Sequence, residues 1–532
     1  MTTNARSGSA SGGRRPSARL LRRRTLGRWL VTAVAGAAVV GGASLSTLAP
    51  SAPAWAAVQL NGTGSSFAAP AVEQWTSEVK LAPYSLVLNY SSSSSGQGRY
   101  EFTNETTDFA VSDTGYVSGS IGTQPPSFPF IFVPITAAGV AFMYNVPGLD
   151  KTLQLSSYSA CAILTGGITN WDDPAVAADN PGASLPNLTI KPVTESDTAG
   201  TNYVLEEWCI AEQPALWAAF ANHENSQPGG PTDGVPISAT APTSNWPGIL
   251  PNGLDDTSTT AVAGDIAANP GAIGAVQLQY AVDQGFNGSN PAKAVASVKN
   301  ASGDYTQPTP VDVASALAYA TQNPDGTHRL DFNGVGPHVY NPSTYSYLLT
   351  PTTGWNPQKG AVMSGFVNYV LTLGQQKAPQ IGYASLGLSL ERYGIDAVHN
   401  DVPGAVAQTA AEQQGYSCGD LTPAEVAAGQ TAPTCGVTNS AAVASVPGSN
   451  GGTVATGPGG SGESSGSGGT GGTGGTGAGG VDAGVALSGG TGPLAQTGSD
   501  PLPLVLVGGA LAGVGLVGRR RLARFRPAKE PS

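Results

Sequence analysis

Positive charge is scarce in this chain of 532 residues, which carries 24 Lys and Arg against 35 Asp and Glu. The cations are also confined to the ends. Eight arginines lie within the first 57 residues, which hold no Asp, Glu or Lys, and six basic and two acidic residues follow Gly498. With those ends set aside, ten basic and 33 acidic residues remain, a net charge of −23. So few cations exclude nucleic acid as a partner. Between the ends only three arginines occur, Arg99, Arg329 and Arg392.

Cysteine and histidine are as rare. The four cysteines, Cys161, Cys209, Cys418 and Cys435, form no C-x-x-C, and no H-x-x-x-H occurs, so a zinc site lacks its usual spacing. The four histidines, His223, His328, His338 and His399, stand in no recognisable catalytic frame, and the globular part has no G-x-S-x-G elbow. These absences argue against a hydrolase, and no cofactor is expected. Four cysteines allow three pairings. Cys418 and Cys435 would close a small loop, which leaves Cys161–Cys209 as the other expected bond, in an exported chain where disulfides persist.

Long apolar runs are missing too, and the two short ones flank the chain. An arginine-rich segment from Arg14 to Arg28 precedes the apolar stretch Trp29–Val40 and a small-residue run ending Ala54-Trp55-Ala56. That order reads as a secretory signal over residues 1–56, cleaved after Ala56, with either general or twin-arginine export open. An N-terminal membrane anchor is the rival, but the apolar stretch is short for a span. At the other end Leu494-Ala495-Gln496-Thr497-Gly498 is followed by sixteen residues, Leu502–Val517, and then by five arginines up to Arg526. This resembles a cell-wall sorting signal of the LAxTG form used by sortases of high-GC Gram-positive bacteria. The resemblance implies cleavage after Thr497 and linkage of Thr497 to peptidoglycan. A permanent single-pass anchor is the alternative. Residues 447–493 are almost entirely Gly, Ser, Thr, Ala and Val, too poor in large apolar side chains to fold, and are expected to be a disordered spacer.

What the middle does have is Ser/Thr-Gly turns at strand ends. Strand-like runs appear at Val58–Leu60, Leu86–Tyr90, Phe109–Ser112, Phe130–Pro134, Gly139–Tyr144, Ile190–Val193, Ala272–Val276 and Ser343–Leu349. Helix-like runs appear at Ala71–Lys80, Tyr158–Leu164 and Tyr203–Cys209, and at Val362, Phe366, Tyr369 and Leu373 on one helical face. Their alternation predicts an α/β fold around a parallel sheet. Three Ser/Thr-Gly turns, at Asn61–Pro70, Ser91–Gly98 and Thr194–Thr201, each stand beyond the carboxyl end of a strand, where such sheets bind ligands. Hydroxyls and free N–H groups at a helix start favour an anion.

These turns also carry a family resemblance. NGTGSSFAAP (Asn61–Pro70), SSSSSG (Ser91–Gly96), TTDFAVSD (Thr106–Asp113), GGITNWDDPAV (Gly166–Val176), SDTAGT (Ser196–Thr201), NPGAIGAV (Asn269–Val276) and YASL (Tyr383–Leu386) resemble the phosphate-binding proteins of Pst-type ABC importers, in the family's order over about residues 58–400. The resemblance implies a two-lobed type 2 solute-binding fold with a two-strand hinge. Lobe 1 would comprise residues 57–142 and 345–400, and lobe 2 residues 143–344, with residues 401–446 as an extension. It implies a monomer that is not an enzyme, binds phosphate or a similar small anion, and has an ABC permease as a partner.

The family's ligand positions fall on Ser66, Phe67, Ser95 or Ser94, Asp113, Gly200 and Thr201. In that set the aspartate accepts a hydrogen bond from a ligand that keeps a proton. Two positions depart from the family. Ala199 replaces a serine, and Glu195 stands where the family has a phosphate-binding arginine. Arg99 either supplies the missing charge or stands at the rim. Glu195, the wall anchor and the lack of a lipid-anchor cysteine keep open a second reading, a surface adhesin, scaffold or sensor with a changed or lost ligand.

The wall-fraction protein is expected to begin at Ala57 and end at Thr497. Mass spectrometry of muramidase-released material checks this, and a mature peptide containing Arg519 would exclude wall linkage.

Overall fold

The computed structural model describes residues 58–431, apart from 120, 229, 232, 233, 235, 247–249, 251 and 418. The signal segment, Cys418 and Cys435 with their expected bond, the spacer, and the sorting signal with Thr497 lie outside the described residues. Among the described residues no helix is long and apolar enough to cross a membrane.

β1 (Gln59–Ser65) does not stop at Leu60 as the sequence suggests but runs through both glycines to Ser65. Gly64 makes this feasible: its φ is +134°, and a Cβ there would lie 2.0 Å from the Val111 carbonyl oxygen. β1 can therefore pair tightly with β2 (Val87–Ser93) and β3 (Phe109–Ser112), both parallel to it. The two runs expected at Phe130–Pro134 and Gly139–Tyr144 are one 16-residue strand, β4 (Phe130–Asn145). Pro134 lacks an N–H, and a register shift opposite it in the pairing partner lets the strand continue past it.

β5 (Gln154–Leu155), β10 (Ser297–Lys299) and β11 (Tyr305–Thr306) make a small three-stranded sheet. β6 (Lys191–Glu195), β7 (Leu254–Asp256), β8 (Ala272–Gln277), β9 (Lys293–Val295) and β14 (Ser343–Pro351) complete the main sheet, and β12 (Thr321–Gln322) pairs with β13 (His328–Arg329) as a hairpin. The main sheet runs β2-β1-β3-β14-β4-β8-β6-β7, with β9 added to β4. It is mixed rather than parallel. The outer strands pair in parallel within each half, and the long β4 and β14, antiparallel to each other and to their neighbours, join the halves. This is the two-lobed α/β arrangement expected for a periplasmic binding protein fold.

The helices cover this sheet. In chain order they are α1 (Ala69–Val79), α2 (Ser95–Thr103), α3 (Ser157–Leu164), α4 (Pro174–Asp179), α5 (Gly200–Glu212), α6 (Pro214–Ser226), α7 (Thr259–Ala268), α8 (Leu278–Asp283), α9 (Pro310–Leu317), α10 (Pro357–Tyr369) and α11 (Leu388–Asp401). α10 is buried from Gly360 to Tyr369 and not along one face only, because it lies inside the core. Trp75, Trp171, Trp208 and Trp217 are all nearly or fully buried. Burying one large apolar side chain contributes about 1.5–3 kcal/mol. After α11 the chain folds back through α12 (Ala410–Gln413) and α13 (Pro423–Ala427), where Ser417 donates to Glu391 and Ser389 to Asp420.

Cys161 of α3 and Cys209 of α5 form a disulfide, as expected. The bond closes a loop of 48 residues and ties α5 to its neighbour at a point nine residues from the helix start. Replacing both cysteines by alanine is expected to lower stability by about 4 kcal/mol in the chain-entropy picture. Urea unfolding of the intact chain measures it.

Candidate ligand-binding site

Three chain segments that the sequence singles out meet at one carboxylate. Asp113 follows directly on β3 and is buried. The Ser65 hydroxyl donates to both of its oxygens, at 2.8 and 2.7 Å, Ser95 donates to Oδ2 at 2.9 Å, and Ser346 of β14 donates to Oδ1 at 2.6 Å. The Ser95 hydroxyl oxygen accepts in turn from the Asp113 N–H. Burial raises the Asp113 pKa, and the three hydroxyls and the charge of Arg99 oppose that rise.

The start of α5 closes on this group. A Cβ at Gly200 would sit 2.6 Å from Asp113 Oδ2 and 2.9 Å from Ser95 Oγ, so glycine alone permits the approach. Ala199 is the N-cap of α5 and supplies no side-chain hydrogen bond. The 13-residue helix thus presents an uncapped N-terminus, with buried Thr201, to the surroundings of Asp113. Unsatisfied N–H groups and the positive end of the dipole are what an anion needs. The lobes also touch directly here: Ser94 Oγ donates to Asp197 at 3.0 Å, and Gly96 N–H to the Thr198 carbonyl at 2.8 Å.

Beside Asp113 lies a second buried carboxylate. Glu195 ends β6, where the Thr259 hydroxyl lies 3.3 and 3.4 Å from its two oxygens and Ser66 Oγ lies 3.4 Å from one. The Ser66 and Thr259 hydroxyls are themselves 2.9 Å apart. Burial and then the charge of Asp197 push the Glu195 pKa up to about 8, and Asp113 adds to the effect. At neutral pH Glu195 therefore holds its proton.

The peptides of the first turn are fixed from behind. Tyr90 donates to the Ser65 carbonyl at 2.9 Å, Tyr280 to that of Ser66 at 2.7 Å and Tyr383 to that of Phe67 at 2.6 Å. Phe67 itself is core.

Arg99 is neither at the rim nor directed at the anion position. It is fully buried in α2, where Nε donates to the Gly122 carbonyl at 2.8 Å and Nη1 to Ser112 and Thr114 hydroxyls at 2.9 and 2.7 Å. Nη2 reaches Ser244 at 3.5 Å. The reason is local: α2 packs against β3, and an arginine one turn into α2 points into that packing. Burial brings its pKa down to about 10, so it remains a cation behind Asp113.

Thus Ser66, Ser95, Asp113, Glu195, Gly200 and Thr201 converge, and Ser94 stands at the lobe contact. Sequence reasoning missed Ser346 and Thr259. Ser346 sits between two tyrosines in a strand whose pattern reads as core. Thr259 follows Ser258 and precedes Thr260, a hydroxyl run at a helix start without the glycine that marks the other turns.

The sequence matches the family described as PBP superfamily domain over residues 51–372. It is 26% identical over 347 residues to the phosphate-binding protein PstS of Xylella fastidiosa, a match covering 64% of this chain and 85% of that protein. It is 31% identical over 173 residues to phosphate-binding protein PstS 2 of Mycobacterium tuberculosis, covering 31% and 45%. A crystal structure of a phosphate binding protein from Stenotrophomonas maltophilia aligns with a TM-score of 0.49 at 20% identity, covering 66% of this chain and 96% of that one.

The Glu195 carboxyl has a consequence for stability. Unfolded, it ionises near the ordinary glutamate value of 4.5; folded, near 8. Its contribution is fully present below the lower value and is lost as pH rises through the higher one. Thermal melts from acid to mildly alkaline pH should therefore fall more steeply for the parent than for Glu195→Gln. Parallel curves would show that the carboxyl is not desolvated.

Proposed function

This chain belongs to the PBP superfamily, and from that premise we propose that it is an exported solute-binding protein that takes a small oxyanion, phosphate or a close relative, between its lobes. The observation that carries the reading is Asp113, held by hydroxyls from three separate elements and faced by the uncapped start of α5. A carboxylate in that position accepts a hydrogen bond from a ligand that retains a proton and repels one that does not. The Ser66 hydroxyl and the N–H groups at Gly200 and Thr201 supply donors for its other oxygens. Similarity to the phosphate-binding PstS proteins supports phosphate as the first anion to try and an ABC permease as the receiving partner. The terminal segments support export and attachment at the surface of a Gram-positive cell, through sortase at Thr497 or through a retained membrane anchor.

Glu195 favours a second reading, a protein of the same fold with a changed ligand. Its carboxyl group takes up hydroxyls that an anion would use, and among the described residues no cation takes its place in the cage. The two readings separate in calorimetry of the intact chain with phosphate. Binding is expected at mildly acidic pH, weakening as Glu195 ionises above about 8. Glu195→Arg should strengthen it at least about tenfold, or 1.4 kcal/mol. Asp113→Asn should shift preference toward a fully ionised anion such as sulfate. Binding by Glu195→Arg but not by the parent would establish the changed-ligand reading.

A further inference from the structure

A cavity of about 320 Å³ abuts Asp113. Its walls are the segment after β3, one face of α5, the β12–β13 hairpin and β14. The α5 face is the continuation of the anion site. Gly200, Tyr203 and Glu207 recur at the spacing of one helical stripe, so the stripe that begins against Asp113 continues as cavity wall. Glu207 lies about 10 Å along the axis from Gly200. Side chains tilt toward the helix start, which brings its carboxylate back toward the cage.

The chemistry of this cavity differs from that of the cage. Glu207 is half-buried and has no hydrogen-bonding partner among the described residues; burial alone pushes its pKa up to about 7. The Tyr203 hydroxyl is likewise without a hydrogen-bonding partner among them. Asp325 adds a second carboxylate, held by the Thr327 N–H at 3.0 Å and hydroxyl at 2.6 Å. His328 supplies no opposing charge, because burial brings its pKa down to about 4. The cation in the lining is Arg329, which is exposed. An unpaired carboxylate among tyrosines is a setting for an ammonium group, through charge-assisted hydrogen bonding and the ring faces.

We propose that the ligand is a small zwitterion, a phosphate or phosphonate carrying an ammonium group on a short arm, with its oxyanion beside Asp113 and its arm along α5 toward Glu207. This rests on the anion-binding reading above and extends it. It also accounts for a cage that holds Glu195 in place of a cation: a ligand that carries its own positive charge has less net negative charge than phosphate and is repelled less by the Asp113 carboxylate.

Calorimetry of the intact chain at about pH 6.5, where monoesters with a second pKa of about 6 still keep part of their proton and Glu207 is partly ionised, tests this with phosphoethanolamine, glycerol 3-phosphate, whose arm is similar but uncharged, and inorganic phosphate. Phosphoethanolamine is expected to bind at least about tenfold more tightly than either. In Glu207→Gln, and less strongly in Tyr203→Phe, the ratio of phosphoethanolamine to glycerol 3-phosphate affinity should fall toward one. Equal affinities for the two esters, tightest binding of inorganic phosphate, or a ratio unmoved in both variants would overturn the proposal. If phosphate binds without preference for the amine, only this inference fails. If none of the three binds, the anion-binding reading falls with it.

Discussion

Burying a carboxylate inside a protein is costly, and much of this molecule serves to offset that cost at Asp113. Three hydroxyls converge on it from β1, the start of α2 and β14. These elements are distant in sequence and come together because β3 lies between β1 and β14 in the sheet. Behind it, Arg99 places a buried cation that no solvent screens well. A buried arginine is itself unfavourable unless its donors are met. Here one carbonyl and three hydroxyls meet them. The two charges support each other across the α2–β3 packing without direct contact: removing either raises the cost of keeping the other buried.

That dependence explains why some of the site could be read from the chain and some could not. Asp113, Ser95 and Gly200 stand at ends of regular elements, where short polar residues and glycine interrupt the apolar pattern, so they are visible as interruptions. Ser346 is not visible, because a single serine between Tyr345 and Tyr347 is unremarkable in a strand. The place of Arg99 was equally illegible. A lone arginine after a serine turn reads as surface, and only the packing of α2 on β3 turns it inward. The same limit applies to the fold. Alternating strand and helix runs indicate an α/β architecture, but not that β4 passes Pro134 unbroken, since the register shift there, with Pro134 opposite Tyr347 and Thr136 opposite Ser346, depends on pairing with a strand more than 200 residues away.

Glu195 poses a different problem. Its position at the end of β6 follows from the register of the sheet, and its burial follows from lobe contact. Neither would require a carboxyl group there. A buried carboxyl whose hydrogen bonds run to two hydroxyls at 3.3 to 3.4 Å is only loosely satisfied. Such a group raises the free energy of the closed site rather than lowering it, unless it stays protonated. In that form it can donate, and the cage becomes one of hydroxyls, N–H groups and one neutral acid around one carboxylate.

Such a cage distinguishes ligands by charge more sharply than by shape. With no cation among the described residues directed into it, every negative charge on a ligand beyond what hydroxyls and a helix end can balance must be met elsewhere. The α5 stripe offers a physical route for that balance. The helix end faces the negative part of a ligand, and Glu207, two turns on, faces whatever extends from it. A helix dipole and a carboxylate placed in this order along one face set up opposite electrostatic preferences about 10 Å apart. A ligand whose own charges are separated along that axis satisfies both, whereas a compact anion satisfies the first and leaves Glu207 unpaired.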